Sequence, residues 1–309
     1  MTIIDAHSHL WLKQNTVVDG NPIYSLSDNP SRSMFFGEER QMLPPFMIDG
    51  KNTAEVFLSN MDYAQVQAAV VVQEVIDGNQ NDYLSEVQQR YPDRFFCMAM
   101  LDVENLQFAE GAECVGDFSV AELIPANLKG LAMPGHRVRR SLLELMPLFK
   151  HLEQRGMILS MCLGEDEHQI GEMREVIHEC PNLKVAIGHF GMVTTPAFKS
   201  QVLLAREGRN VMVESGGITW LYNSEFYPYP SAVRSIKDAA EWVGMDRLMW
   251  GSDYPRTITA ITYRMSYDFI CKSKELTEAD KASFLGDNAR KFYGFRNLPE
   301  LPYIKNMSE

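Results

Sequence analysis

The sequence predicts an α/β protein of the (β/α)8 TIM-barrel class, and three observations lead to that prediction. Short runs of β-branched and apolar residues alternate along the 309-residue chain with longer segments of helical periodicity. Eight such runs occur, which is the number of strands in a (β/α)8 barrel. Most of these runs are continuously apolar, as expected for parallel strands covered by helices. Periodicity does not reveal whether a sheet closes, so a doubly wound open sheet remains the alternative.

The predicted strands are short, and helical stretches such as TAEVFLSNMDYAQV and SLLELMPLFKHLEQRG lie between them. Gly or Pro follows several of these stretches, where such residues commonly end a helix. The chain shows no internal repeat, low-complexity segment or linker, so we expect a single domain over residues 1–309. The eight strands are predicted at Thr2–Ser8, Ala68–Glu74, Phe95–Leu101, Leu128–Met133, Met157–Cys162, Lys184–His189, Val211–Ser215 and Arg247–Asp253.

The segment Leu12–Gly50 interrupts this alternation after the first strand. It is rich in Pro, Asn, Ser and Gly but also contains Phe, Tyr and Met. Loops of this length inside a compact domain are generally functional or disordered. The aromatic and methionine content favours an irregular, lid-like insertion that is folded. Apolar packing against the mouth of the barrel is a second interpretation, compatible with the first.

The composition excludes several classes of protein. Hydrophobic content of 45% and charged content of 23% are ordinary for a soluble globular chain. A net charge of −12 argues against nucleic acid as a partner, because phosphate binding needs a concentrated basic surface. No apolar run reaches the length of about 18 residues that a membrane span needs. The N-terminus carries polar residues where a signal peptide would need an apolar stretch, so we expect no secretion.

The cysteines indicate a reducing, cytoplasmic environment. Their number is odd and none forms a C-x-x-C pair. Three of them follow apolar or aromatic runs, where a free thiol behaves as a small hydrophobe. The five are Cys97, Cys114, Cys162, Cys180 and Cys271.

Polar side chains stand at the ends of three predicted strands, where a barrel places its catalytic groups. The first strand ends in His7 and His9, which point to the same side because strand residues alternate. The sixth ends in His189 and the eighth in Asp253. Three imidazoles and one carboxylate suit zinc or a similar divalent ion. Such an ion lowers the pKa of bound water, and a neighbouring carboxylate can accept the proton.

Each of these residues also has a structural interpretation. A single strand-end histidine is more often a hydrogen-bonded structural residue than a ligand. An aspartate in GSDYP would commonly be a turn or cap residue. The shared direction of the H-x-H pair, and the order of three such sites along the chain, favour the metal-site interpretation.

IDAHSHLW, VAIGHFG and LMWGSDYP resemble the first-, sixth- and eighth-strand signatures of the amidohydrolase-related (amidohydrolase-2) branch of the amidohydrolase superfamily. The resemblance covers residues 2–295, including DNARKFYGF, which is similar to the closing helix of that family. It implies a (β/α)8 barrel with one divalent ion, commonly zinc. It implies His7, His9 and Asp253 as ligands, and His189 as a group that polarises substrate or acts as acid and base. Barrels of this branch often form dimers, so a homodimer is one option.

The fifth strand departs from the family pattern, which usually has a further histidine ligand there. The stretch MILSMCLGEDEH has Met161 and Cys162 at that place. We expect Cys162 to be a buried structural thiol rather than a soft ligand. Glu165 or His168 could reach in from the following loop, or both could begin the next helix. Three outcomes stay open: His189 completes the site, the ion is weakly held, or Asp253 works without it.

A second set of residues is predicted to bind substrate. Arg137 and Arg256 could clamp a carboxylate, because a guanidinium matches it bidentately. Each could instead pair with an acid such as Glu74 or Glu214, and the two interpretations are equal. In TWLYNSEFYPYP four aromatic residues could wall a pocket, although ordinary loop packing is as consistent. They are Trp220, Tyr222, Tyr227 and Tyr229.

These observations predict a cytoplasmic, metal-dependent hydrolase of a small anionic molecule, with a lactone or other cyclic ester favoured. Asp253 would be ligand and general base, and His189 would polarise the carbonyl. A non-oxidative decarboxylase on the same scaffold is the alternative, disfavoured by the missing fifth-strand histidine. A non-catalytic barrel that binds a small molecule is a third hypothesis, since a fold alone never proves chemistry.

Overall fold

A computed structural model describes residues 1–108 and 124–307 of the chain. Cys114 lies outside these residues, and the other four cysteines are free thiols. All eight predicted strands are present at the expected places, and each is shorter than predicted. They are β1 Ile4–Ser8, β6 Ala68–Val71, β7 Phe95–Cys97, β8 Gly130–Met133, β9 Ile158–Met161, β10 Lys184–Ile187, β11 Val211–Glu214 and β12 Leu248–Met249.

These eight strands are all parallel to their neighbours and form two sheets. One sheet has the order β1-β6-β7 and the other the order β12-β11-β10-β9-β8. Single parallel bridges join the two sheets on both sides, between Ala99 and Leu131 and between Ser8 and Tyr254. The backbone N–H of Ala6 also donates to Trp250 O at 2.9 Å. The carboxyl ends of the strands therefore share one side of the molecule.

The sequence predicted an irregular insertion over residues 12–50, but the structure has regular strands there. It contains a four-stranded antiparallel sheet of β2 Asn15–Val18, β3 Asn21–Ser25, β4 Arg32–Phe35 and β5 Glu38–Gln41. Val18 and Ile23 on this sheet pack against Ile76, which follows β6. The insertion is thereby attached to the loop after the second parallel strand.

Ten α-helices cover the parallel strands in the described residues, and several start at side-chain caps. Thr53 and Asp166 accept backbone N–H groups of the helices that follow them, and Thr277 forms a capping box with Asp280. The helices are α1 Ala54–Tyr63, α2 Asn81–Arg90, α3 Met146–Gln154, α4 Glu167–Glu179, α5 Phe198–Glu207, α6 Ile218–Leu221, α7 Pro230–Val243, α8 Met265–Lys272, α9 Glu278–Ala282 and α10 Asn288–Tyr293.

The buried apolar side chains form two main clusters on opposite faces of the parallel strands. On β10, Val185 and Ile187 belong to the larger cluster, which packs under the helices. Ala186 between them belongs to the second cluster, which takes residues from every parallel strand except β7, and Met98, just after β7. Phe292 and Tyr293 of α10 join this second cluster. None of the helices in the described ranges combines the length and apolar character needed to cross a bilayer.

Candidate functional site

A cavity of about 500 Å³ lies at the carboxyl ends of the parallel strands. Four of the residues that the sequence predicted for the reaction line it: His7, His9, His189 and Asp253. Their side chains come from the ends of the first, sixth and eighth of the eight parallel strands. Three of them are buried, with 1% exposure for His7, 4% for His9 and 2% for Asp253.

His7, His9 and Asp253 bring three possible ligand atoms together. His7 Nε2 lies 3.2 Å from His9 Nε2, and His9 Nε2 lies 3.0 Å from Asp253 Oδ1. The distance from His7 Nε2 to Asp253 Oδ1 is 3.8 Å. The pleat of β1 thus aims both imidazoles at one point, as the H-x-H spacing predicts.

Asp5 fixes the first strand against the segment that carries Asp253. Its carboxylate accepts hydrogen bonds from the backbone of Ser252 at 2.8 Å, from Tyr263 Oη at 2.7 Å and from the backbone of His7 at 3.1 Å. The backbone N–H of Asp253 donates to His7 O at 2.9 Å. The relative position of the two strand ends is therefore set by the Asp5 carboxylate together with a backbone hydrogen bond.

Asp253 is held as an ionised carboxylate. Burial acts to raise its pKa, but the hydrogen bond from His9 and the charge of Arg256 outweigh it and hold the pKa far below the usual range. Trp220 Nε1 donates to Oδ2 at 2.7 Å, and Arg256 Nη1 lies 3.7 Å from Oδ1. Asp253 also has a φ of +60°, and His189 one of +55°. Such left-handed backbone in non-glycine residues concentrates at functional sites.

Glu214, at the end of β11, orients His7. Its Oε1 lies 2.7 Å from His7 Nδ1 and accepts the backbone N–H of His189 at 3.3 Å. Burial raises the pKa of Glu214 to about 7, although the neighbouring His189 and the backbone N–H groups of Gly216 and His189 act to lower it. A Cβ at Gly251 would lie 2.7 Å from Glu214 Oε2 and 2.7 Å from His7 Cβ. The absence of a side chain at Gly251, in GSDYP, therefore provides the space that Glu214 and His7 occupy.

Asp77 faces Nδ1 of His9, as Glu214 faces Nδ1 of His7. Its Oδ2 lies 3.5 Å from His9 Nδ1, which has no hydrogen-bond partner within the described part of the chain. Asp77 also accepts two hydrogen bonds from Arg256 Nη2, at 2.9 and 3.0 Å. Burial lowers the pKa of His9, and burial lowers that of His7 to about 4, so both imidazoles are neutral near pH 7.

These residues fit a divalent metal ion. In a tetrahedral zinc site with bonds of about 2.1 Å, ligand atoms are about 3.4 Å apart, close to the separations seen here. If His9 Nε2 donates to Asp253, its Nδ1 lone pair is left facing the carboxylate of Asp77. An ion at Nε2 moves the proton to Nδ1, where it can point at Asp77, and the unpaired atom gains a partner. Carboxylates behind ligating histidines are the usual outer partners of a metal site.

His189 lies on the other side of His7, with ring centroids 4.5 Å apart. Its Nδ1 is 2.7 Å from the carbonyl oxygen of Gly216. A carbonyl only accepts, so Nδ1 carries the proton and neutral His189 presents a lone pair at Nε2. Burial and the nearby His7 lower the pKa of His189, which keeps it neutral. This tautomer suits a ligand or proton acceptor better than the carbonyl-polarising donor that the sequence suggested.

Ligand atoms of His7, Cys162 and His189 also lie within 4.8 Å of one another. The sequence suggested that Cys162 is a structural thiol in apolar surroundings, but this residue lines the cavity. Burial and the charge of Glu214 raise the pKa of the thiol well above its usual value. His7 thus belongs to two adjoining groups of possible ligands.

Paired charges form the outer wall of the cavity. Arg137 donates from Nε to both carboxylate oxygens of Glu74, each at 3.1 Å, and His136 Nε2 lies 3.3 Å from the same carboxylate. Burial acts to raise the pKa of Glu74, but these neighbours lower it to about 2. Of the two open interpretations of the arginines, the structure contains the ion pairs, with Asp77 in place of Glu214 as the partner of Arg256.

Several predicted residues lie away from the cavity. Tyr222 is 2.7 Å from Ser235 Oγ of α7, and Tyr227 donates to Asp268. Tyr229 packs on Phe269. His168 is in the first turn of α4 with 78% of its side chain exposed. Trp220 and Glu165 do line the cavity, Glu165 as an exposed residue at its rim.

Sequence reasoning did not name Asp77 or His136. Asp77 follows Glu74 by three residues, and His136 precedes Arg137. Extending the search for polar groups by three residues past each strand would have found both. Both residues lie near the site because short 3-10 turns at Val75–Asp77 and Gly135–Arg137 fold them back to the strand ends.

Comparisons with known proteins relate this chain to several solved structures. A "probable 2-pyrone-4,6-dicarboxylic acid hydrolase" from Acinetobacter baumannii, with citric acid bound, is 17% identical with a TM-score of 0.66, over 96% of this chain and 100% of that one. An amidohydrolase from Burkholderia multivorans with bound zinc is 16% identical with a TM-score of 0.68, over 97% and 100%. A 5-carboxyvanillate decarboxylase from Sphingomonas paucimobilis is 16% identical with a TM-score of 0.56, over 81% and 86%.

At such identities the structural likeness shows the fold. A search of curated proteins finds no match. The family model described as amidohydrolase matches residues 4–295, which confirms the resemblance predicted from the three strand-end signatures. The chain therefore belongs to the amidohydrolase family.

Proposed function

We propose that the two parallel sheets close into one (β/α)8 barrel, and that the protein is a metal-dependent hydrolase of a small lactone or other cyclic ester. Support for closure comes from the bridges on both sides and from the buried cluster that draws on the strands of both sheets. The observation that carries the function is the meeting of His7, His9 and Asp253, with Glu214 and Asp77 behind the two imidazoles.

His7 and His9 would hold the ion through Nε2, and Asp253 through Oδ1. The bound ion would supply a Lewis acid that polarises the ester carbonyl and lowers the pKa of water. Asp253 accepts the proton from the attacking water, because it is ionised and faces the cavity. It then returns that proton to the ring oxygen that leaves. Water is thus consumed and the cyclic ester becomes a hydroxy acid.

Zinc is the ion that we expect, since two imidazoles and one carboxylate form a common catalytic zinc set. The Burkholderia structure with bound zinc supports this choice. His189 presents its Nε2 lone pair beside His7, where it can accept a hydrogen bond from a substrate hydroxyl or join the ligands. Trp220 donates its indole N–H to Oδ2 of Asp253 and so fixes the orientation of the carboxylate, with Oδ1 toward His9.

The charges of the wall favour a substrate with few carboxylates. Both guanidiniums that line the cavity already face carboxylates, Arg137 that of Glu74 and Arg256 that of Asp77. Arg137 makes this contact through Nε, so the hydrogen bonds to Glu74 do not use its terminal nitrogens. The rest of the wall includes apolar side chains such as Val72, Ile76 and Leu163. We infer a lactone with a single carboxylate, or a neutral one, rather than a dicarboxylate.

A panel of substrates tests this proposal. The purified protein is assayed on neutral, monocarboxylate and dicarboxylate lactones by base consumption, and on aromatic acids by release of CO2. Chelation should abolish lactone turnover, and one equivalent of Zn²⁺ should restore it. Turnover that survives complete removal of metal contradicts metal dependence. CO2 release without lactone hydrolysis makes the protein a decarboxylase, and tight binding of a lactone without turnover makes it a binding protein.

A further inference from the structure

Cys162 is the first residue after β9, and its side chain lines the same cavity as His7 and Asp253. The neighbouring β10 is followed by Gly188, where a Cβ would lie 2.6 Å from Cys162 Sγ and 2.9 Å from Glu214 Oε1. The thiol and the carboxylate that orients His7 therefore share a space that the glycine leaves open.

The thiol is also within reach of the imidazoles. One ligand atom each of His7, Cys162 and His189 lie within 4.8 Å of one another. His7 belongs at the same time to the group with His9 and Asp253. A ring nitrogen of His7 therefore has the sulfur of Cys162 within 4.8 Å, and rotation of Cys162 about χ1 changes that distance.

We propose that Cys162 is a ligand of the divalent ion, in the place where the family pattern has a fifth-strand histidine. The proposal rests on the proposed function, because it requires an ion at His7. Sulfur is a soft ligand, so this cysteine shifts the preference of the site toward Zn²⁺, Co²⁺ and Cd²⁺ and away from Mn²⁺ and Mg²⁺. On binding, the S–H bond breaks, a metal–sulfur bond forms, and one proton is released to solvent for each ion.

Cobalt substitution tests the proposal without any measurement of activity. The metal-free protein, kept reduced, is loaded with Co²⁺, and the stoichiometry and the absorption spectrum are recorded. A cobalt–thiolate bond gives a strong charge-transfer band in the near ultraviolet, which imidazole and carboxylate ligands do not give. We expect this band in the wild type and in Cys97→Ser, whose cysteine is fully buried in β7.

Cys162→Ser and Cys162→Ala should lose the band and still bind one cobalt ion through His7, His9 and Asp253. Their affinity for Cd²⁺ relative to Mn²⁺ should fall by about 10–100-fold, at least the loss seen on removing an outer partner of a ligand. Circular dichroism and thermal unfolding show whether each variant is folded, and the alanine variant serves if the serine variant is not.

Two results overturn the proposal alone. The first is a wild type that binds one cobalt ion without the charge-transfer band. The second is a band that remains in both Cys162 variants. A wild type that binds no Co²⁺ or Zn²⁺ at all overturns the proposed metal dependence as well, so the two failures are distinguishable.

Discussion

The inner and outer walls of the cavity are built in opposite ways. On the inner wall, His7 and Asp253 are 1% and 2% exposed, and backbone groups and buried carboxylates fix them. On the outer wall, Arg137 and Arg256 keep 23% and 19% of their side chains exposed and make side-chain ion pairs. The inner geometry is thus complete before substrate arrives, whereas the outer charges meet water and substrate directly. Substitutions inside should therefore change turnover and ion affinity, and substitution of Arg137 should change recognition of charge, whereas Arg256 also contacts Asp253.

The largest effect is expected for Asp253→Asn. The amide has nearly the same shape but accepts no proton, so kcat for the lactone should fall by about 10²–10⁴-fold. Stopped-flow or pH-stat rates measure this fall, with Asp246→Asn on the far turn before β12 as the matched control. A kcat within threefold of the wild type would remove Asp253 from the role of base.

The next effect is expected for Glu214→Gln, which replaces the carboxyl group behind His7 Nδ1 with an amide. Loss of such an outer partner costs about 10–100-fold in metal affinity or activity. Competition with a chromogenic chelator measures the Zn²⁺ affinity directly. Glu207→Gln, which removes a surface carboxylate paired with Arg174, should leave the affinity unchanged. Equal affinities in both variants would mean that Glu214 does not orient a ligand.

A smaller and selective effect is expected for Arg137→Met on the outer wall. If the guanidinium binds the substrate carboxylate, KM for a monocarboxylate lactone should rise by about tenfold, the lower end for a hydrogen bond to a charged group. KM for a neutral lactone should stay within a factor of about two. Arg139→Met is the control, because Arg139 is mostly exposed and pairs with Asp19 on the insertion. A rise for the neutral lactone as well would indicate a loss of packing instead of a lost charge.

The smallest effect is expected for Tyr222→Phe. Tyr222 meets Ser235 of α7 and not the cavity, so kcat and KM should not change. The lost hydrogen bond is worth about 1 kcal/mol, which corresponds to about 2 °C in Tm for a chain of this size. Calorimetry measures the change in Tm, and steady-state kinetics on the same preparation measure kcat and KM. A change in KM would return Tyr222 to the substrate pocket.

The sequence predicts the parallel strands well because each is a buried apolar run, and it predicts the H-x-H site because the pleat fixes side-chain direction. The sequence does not predict the strands of the insertion, because they are not buried apolar runs. In β5 all four residues, EERQ, are exposed, so there is no apolar pattern to read. Partners across the molecule escape prediction as well. The contact of Glu214 with His7 joins residues 207 positions apart, and only the folding of the parallel strands side by side brings them together.

The sequence also does not predict in which direction a loop side chain points. Trp220 faces Asp253 and Tyr222 faces α7 although they are two residues apart, because α6 turns between them. The aromatic composition of the loop is the same in either orientation. Cys162 shows the same limit just after a strand, since the sequence does not reveal that Gly188 leaves space beside its sulfur.

The space around Glu214 also constrains how this scaffold can be redesigned. A methyl group at Gly188 or Gly251 would lie within 3 Å of that carboxylate. A laboratory evolution campaign toward a new lactone should therefore keep both glycines in every active clone, while Arg137 and the rim vary freely. A mutant library should vary the rim positions, because substitutions there can change selectivity and leave the reaction centre intact.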